Sequence, residues 1–272
     1  MPGIPVKTEQ TPAAVLFDLD GTLIDTAPDF IRCLNQLRQQ HGMPALPAEQ
    51  IRRSVSNGAR AMIRVGFGLE PEHEGYPEKH TAFLDLYELG VAVETTLFPG
   101  MDVLLSSLES RGIPWGIVTN KPARFAVPLI EALGLAQRCA ALICPDHVAE
   151  RKPHPESLLL ACRQIQVEPI KSVYIGDHER DIEAGRNAGM HTIAVRYGYI
   201  EQPETVDLWQ ADRRAPVDPN QACRHGNPGR GGKAPGRTRG AGLRHRRTLR
   251  HGGRYGQAVR YRDRYQEFDR SD

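Results

Sequence analysis

Between residues 13 and 212 the chain alternates short apolar runs with longer stretches whose apolar residues recur at helical spacing. The runs Ala14–Phe17, Trp115–Thr119, Ala141–Cys144, Ser172–Ile175 and Thr192–Val195 are bounded by polar or turn residues and predict strands. Phe30, Leu34 and Leu37 share one helical face. Leu104, Leu105 and Leu108 share another, just before Gly112, which is suited to ending a helix. Strands alternating with helices predict an α/β fold with a parallel sheet.

One interval breaks the alternation. From Thr26 to Thr96 only helical patterns occur, over a length too great for a single crossover connection. It predicts a helical insert after the first strand. The expected organisation is a core of residues 13–25 and 97–212, with a helical cap over 26–96.

Composition narrows the class. Apolar residues make up 40% of the 272 and charged residues 25%, as in ordinary globular proteins. No apolar run approaches the ~20 residues that span a bilayer, and Met1–Pro12 lacks the apolar segment of a secretory signal. Five cysteines stand at 33, 139, 144, 162 and 223 with no CxxC pair, so neither a disulfide framework nor a structural metal site is expected. A cytoplasmic location fits that usage.

Net charge is +2, yet it is unevenly spread. Residues 213–272 hold fifteen Arg, one Lys and five Asp or Glu, a local +11 that leaves −9 for the rest. That segment also has ten Gly, two Leu, two Val and no Ile, too little apolar matter for a core, and it is predicted to be disordered. Two origins compete: a basic arm that binds acidic surfaces, or out-of-frame translation of a GC-rich gene. The second also accounts for the abrupt end of the strand–helix pattern. Nucleic-acid binding through the basic arm is thus the less favoured alternative, and nucleic acid is not an expected partner.

Candidate chemistry follows the strand ends. The first strand runs into Asp18-Leu19-Asp20-Gly21, the second into Thr119-Asn120, and the fourth into Gly176-Asp177, with Asp181 beyond. Lys152 follows the third. In open parallel sheets ligands bind outside the carboxyl ends of the strands. Phosphoryl transfer explains this set: a carboxylate attacks phosphorus and splits one difficult step into two. Asp18 and Asp177 offer hard oxygen ligands to Mg²⁺. Thr119 and Asn120 offer hydrogen bonds to a phosphoryl group, Lys152 offsets its charge, and Asp20 moves the proton.

DLDGTL, VTN, the lysine of RKPHP and GDHERD together resemble the four motifs of the haloacid dehalogenase-like hydrolases, across roughly residues 13–212. The resemblance implies a Rossmann-like core with the helical insert as cap. It implies Asp18 as nucleophile, Asp20 as general acid and base, and Thr119 and Lys152 on the phosphate. Mg²⁺ would be held by the Asp18 carboxylate, the Asp20 backbone carbonyl and Asp177. Asp20 favours phosphate esters over halides, since a halide needs no proton. His178 stands where phosphatases of this group often carry a second aspartate, and its effect on the metal is left open.

SNGARAM, WGIVTNKP, ICPDHVAERKPHP and VRYGYI are further similar to the bacterial phosphoglycolate phosphatases and to a related phosphatase of N-acetylmuramic acid 6-phosphate. The expected substrate is 2-phosphoglycolate or a similar small phosphate. The muramic acid ester is the alternative, a sugar phosphate mutase a more distant one. Within the insert, Asn57, Gly58 and Arg60 form a polar turn, and Arg60 is a candidate for pairing with a substrate carboxylate.

Overall fold

The computed structural model describes residues 11–215. Its main sheet has six strands: β1 (Ala14–Phe17), β4 (Trp115–Val118), β5 (Leu142–Ile143), β6 (Ser172–Gly176), β7 (His191–Ala194) and β8 (Arg213–Arg214). They lie in the order β5-β4-β1-β6-β7-β8, and all their pairings are parallel. β1 is central and buried at every residue, which is why AVLF is a continuous apolar run rather than an alternating one. Its two flanking strands, β4 and β6, come from opposite halves of the chain, so the strand order reverses around β1. That reversal opens a crevice at the carboxyl ends of β1, β4 and β6.

Helices cover the sheet: α5 (Met101–Ser110), α6 (Ala123–Ala132), α7 (Glu156–Ile165) and α8 (Glu179–Asn187). One core cluster joins Leu16, Val118, Ile143 and Tyr174 from the sheet to Leu158, Ala161 and Ala184 from α7 and α8. Leu105 and Leu108 of α5 are buried, Leu104 is half-buried, and Gly112 adopts the left-handed conformation at φ 67° that follows a helix end.

The insert leaves and rejoins the core through a ladder that has no sequence signature. β2 (Ile24–Asp25) pairs antiparallel with β3 (Thr96–Leu97). Two residues are too few to display a period. Between them lie α1 (Ala27–Gln40), α2 (Ala48–Arg52), a 3₁₀ turn (Val55–Asn57), α3 (Gly58–Phe67) and α4 (Tyr76–Leu89). Phe30, Leu34 and Leu37 are buried on one face of α1, which packs against α2, α3 and α4. An aromatic seam continues from Phe30 to Tyr87 at 4.5 Å and from Tyr87 to Phe125 of α6 at 5.6 Å, joining insert and core.

At the far end of the chain the sheet runs past the point where the sequence pattern stops. Arg213 and Arg214 pair with Ile193 and Ala194, so the disordered segment predicted to begin at residue 213 does not begin there. Asp212 precedes the pair and accepts hydrogen bonds from the Thr192 amide and hydroxyl, at 2.8 and 2.9 Å. Backbone pairing needs no apolar side chain, which is why the pattern misses it. The remainder of that expectation, residues 216–272, lies outside the described residues.

Asp29 closes the neck of the insert. Its buried carboxylate accepts the Thr95 hydroxyl at 2.7 Å, the Thr95 and Glu94 amides at 3.0 and 3.1 Å, and Arg32 at 2.8 Å. Burial alone would raise its pKa, but these donors outweigh burial and hold it below the usual value. Asp29→Ala is expected to cost about 3–5 kcal/mol, because it leaves buried donors unpaired. The folded pKa lies below the unfolded value of ~3.9. The contribution is therefore complete above that pH and is lost as pH falls through the folded value. Urea unfolding of both proteins at neutral and acid pH checks this: the gap narrows only in acid.

Candidate active site

β1 delivers Asp18 to the crevice and β6 delivers Asp177, which follow directly on the last residues of their strands. Asp181 sits in the first turn of α8. All three carboxylates are buried and offer oxygens within 4.8 Å of one another. Burial, then the neighbouring carboxylates, push Asp18 up to about 6 against the pull of Lys152. The same causes push Asp177 up to about 7.

Lys152 faces this negative charge. Its ammonium lies 2.8 Å from Asp18 Oδ1 and 2.7 Å from Asp181 Oδ1, and it donates to Tyr174 Oη at 2.7 Å and the Val118 carbonyl at 3.0 Å. Burial would lower its pKa, yet Asp18 and Asp181 raise it, so it stays charged. One ammonium against three carboxylates leaves the cluster short of positive charge. Hard oxygen donors, convergent and undercompensated, fit a divalent cation such as Mg²⁺. Asp18, Asp177 and Asp181 would hold it.

Asp177 is held from several sides. Oδ1 accepts Thr22 Oγ1 at 3.1 Å, and Oδ2 accepts the Tyr199 amide and Ser56 Oγ, each at 2.9 Å. Backbone passes very close: a Cβ added at Gly198 would come 2.3 Å from Asp177 Cβ, and one at Gly21 would come 2.2 Å from Oδ2. Only glycine fits at those two positions.

Asp20 points elsewhere. Its carboxylate accepts Thr26 Oγ1 at 2.7 Å and Lys121 Nζ at 3.0 Å. Lys121 is itself buried, with its ammonium 4.7 Å from the Tyr87 ring centre and 5.0 Å from that of Phe30. Thr119 directly follows β4, buried, with its hydroxyl accepting the Lys121 amide at 3.1 Å. Asn120 Nδ2 donates to the Lys152 carbonyl at 3.0 Å and so ties that loop to β4.

Residues 15–195 match the family described as Haloacid dehalogenase-like hydrolase. The chain belongs to this family. An N-acetylmuramic acid 6-phosphate phosphatase from Pseudomonas putida is 49% identical over 199 residues, which cover 73% of this chain and 89% of that protein. A phosphoglycolate phosphatase from Xanthomonas campestris pv. campestris is 45% identical over 204 residues, covering 74% and 90%. Among solved structures, CbbY from Rhodobacter sphaeroides in complex with phosphate superposes with a TM-score of 0.60. It is 24% identical and covers 75% of this chain and 94% of that one, a likeness of fold. As a haloacid dehalogenase-like hydrolase with phosphatase relatives, the chain is a phosphoric monoester hydrolase.

The geometry adds partnerships within this hydrolase site that motif reading could not give. Asp181 stands in the carboxylate cluster beside Asp18 and Asp177, whereas the Asp20 side chain turns to Lys121. Lys121 was readable as the basic residue directly after Thr119-Asn120, but its partner was not. Ser56 and Tyr199, which lie in the SNGARAM and VRYGYI segments, reach Asp177 from 121 and 22 residues away, a meeting that no local spacing encodes. Arg60 lies apart: it is exposed on α3, 3.5 Å from Glu70. His178 caps α8, its Nδ1 accepting the Arg180 amide at 3.3 Å, and stacks on Trp209 with ring centres 6.4 Å apart. Burial, then Arg180, lower its pKa to about 4, so the ring is neutral there.

Removing Lys152 isolates the effect of charge in the cluster. Lys152→Met is expected to cost about 3–5 kcal/mol, since it leaves buried carboxylates unpaired. Divalent cation should restore part of the loss, more than it stabilises the parent. Thermal melting with and without Mg²⁺ checks both; an equal cation effect on the two proteins contradicts the charge argument.

Proposed function

We propose that the chain is a Mg²⁺-dependent phosphomonoesterase working through a phosphorylated Asp18. The observation that carries this reading is the meeting of Asp18, Lys152 and the Asp177–Asp181 carboxylates in one buried cluster. Mg²⁺ bound there would offset the repulsion between phosphate and nucleophile and polarise the phosphoryl group. An Asp18 oxygen bonds to phosphorus as the ester oxygen departs. Asp20 gives the departing alcohol its proton, then takes one from the water that hydrolyses the acyl phosphate. Lys121 holds Asp20 in place and Lys152 compensates the phosphoryl oxygens. Thr119 and Asn120 stand at the β4 end as hydrogen-bonding groups for the phosphate. The helices of residues 26–96 serve as the cap, and the action is cytoplasmic.

The substrate is a small carboxylated phosphate. Relatives at 49 and 48% identity favour N-acetylmuramic acid 6-phosphate over 2-phosphoglycolate, represented at 45%. Both esters carry a carboxylate, so recognition of one would resemble recognition of the other. Phosphate release from a panel holding both esters ranks them by kcat/KM.

Asp18→Asn is expected to lower turnover by several powers of ten, because an amide is a poor nucleophile. Asp20→Asn should lose roughly 10²–10⁴-fold on alkyl esters, and less on an aryl phosphate in the first step, where the leaving group needs little protonation. Single-turnover kinetics on the two ester classes separate these outcomes. Chelation should stop the reaction and Mg²⁺ restore it; full turnover in chelator rules the reading out.

A further inference from the structure

A turn of the insert grips the core beside the carboxylate cluster. It spans Ser54 to Asn57, and each of its polar side chains bonds to a residue outside the insert. Ser54 Oγ and Asn57 Nδ2 both donate to Glu201 Oε1 at 2.9 Å. Arg180 donates to the Ser56 carbonyl, and to Asn57 Oδ1 at 3.5 Å. Ser56 Oγ donates to Asp177 Oδ2 at 2.9 Å. Val55, between them, is buried and anchors the turn.

The bond to Asp177 differs from the others because its acceptor belongs to the cluster. A carboxylate oxygen has two lone-pair directions in its plane. On Oδ2 the Tyr199 amide takes one and Ser56 the other. Oδ1 accepts the Thr22 hydroxyl at 3.1 Å. Ser56 thus adds a restraint on the rotation of a carboxylate that belongs to the cluster. Asp177 is pinned on its core side by Tyr199 and Thr22, and Ser56 supplies the remaining restraint from the insert.

We infer that Ser56 is a positioning residue which couples the grip of the insert turn to cation binding at Asp18, Asp177 and Asp181. Coupling between two binding events is reciprocal, so the cation also strengthens the grip of the turn. Ser56 touches no reacting atom and acts through Asp177. The inference rests on the Mg²⁺ reading above.

The test is calorimetric titration of Mg²⁺ into the full chain, for the parent, Ser56→Ala, Ser56→Thr and Glu201→Gln. Loss of a hydrogen bond to a charged group predicts roughly 10-fold weaker binding in Ser56→Ala. Ser56→Thr keeps the hydroxyl and should bind near the parent value. Glu201→Gln weakens the grip at a distance from the cluster and should weaken Mg²⁺ in the same direction by a smaller factor. Melting temperatures without metal show that each variant is folded. Binding in Ser56→Ala as tight as the parent or tighter overturns the inference. A loss in Ser56→Thr as large as in Ser56→Ala overturns it as well, and so does unchanged affinity in Glu201→Gln. A parent that fails to bind Mg²⁺ removes both this inference and the reading beneath it; a parent that binds, beside an unchanged Ser56→Ala, removes the inference alone.

Discussion

Three carboxylates buried within a few ångströms of one another repel, and burial strengthens the repulsion by excluding water. Asp18, Asp177 and Asp181 are in that position, and the local architecture is arranged around it. Lys152 is drawn into the cluster with its ammonium fully buried, a placement that is tolerable only because two carboxylates and two neutral oxygens surround it. The backbone at Gly21 and Gly198 closes on Asp177 so tightly that no side chain fits. Such crowding is costly to folding and useful to chemistry. A site short of positive charge is suited to a cation, and on the proposed mechanism a phosphate brought to that cation would meet Asp18 at the strand end.

A second ion pair lies a short way off and is kept separate. Asp20 and Lys121 face each other under the aromatic seam of Phe30 and Tyr87. The two carboxylates of the DLDG segment thus have different partners, although only Leu19 stands between them. Asp18 belongs to the sheet and the cluster; Asp20 accepts from Thr26, at the start of the insert, and from Lys121, whose ammonium lies over rings of α1 and α4. On the proposed mechanism, this separation would let Asp20 serve as acid at the insert while Asp18 serves as nucleophile on the sheet. The insert also reaches the cluster itself through Ser56.

Much of this was legible along the chain because parallel strands buried on both faces must be apolar, and the first polar residue after each one marks the crevice. Asp18 and Thr119 each follow a fully buried strand in that way, and Asp177 follows β6, whose residues alternate between buried and half-buried. What stayed hidden was partnership. Lys121 beside Asp20, Tyr174 beneath Lys152 and Ser56 upon Asp177 are meetings across the fold, and no local spacing encodes them. Arg60 shows the converse. It is close in sequence to Ser56 and Asn57, but α3 begins at Gly58, and the turn of the helix carries residue 60 to the solvent side while Ala61 and Met62 face inward. The β2–β3 ladder and the Arg213–Arg214 strand were too short for any period to register.

The central claim is that Asp18, and no other residue, carries the phosphoryl group between substrate and water. It is tested most directly by mixing enzyme and substrate in the presence of Mg²⁺, quenching in acid within a single turnover, and mapping the digest by mass spectrometry. The account predicts one phosphoryl group on the peptide containing Asp18, formed and lost at rates consistent with turnover, and accumulating in Asp20→Asn with an aryl phosphate. Turnover with Asp18 never modified, or with the group found on another residue, would contradict it.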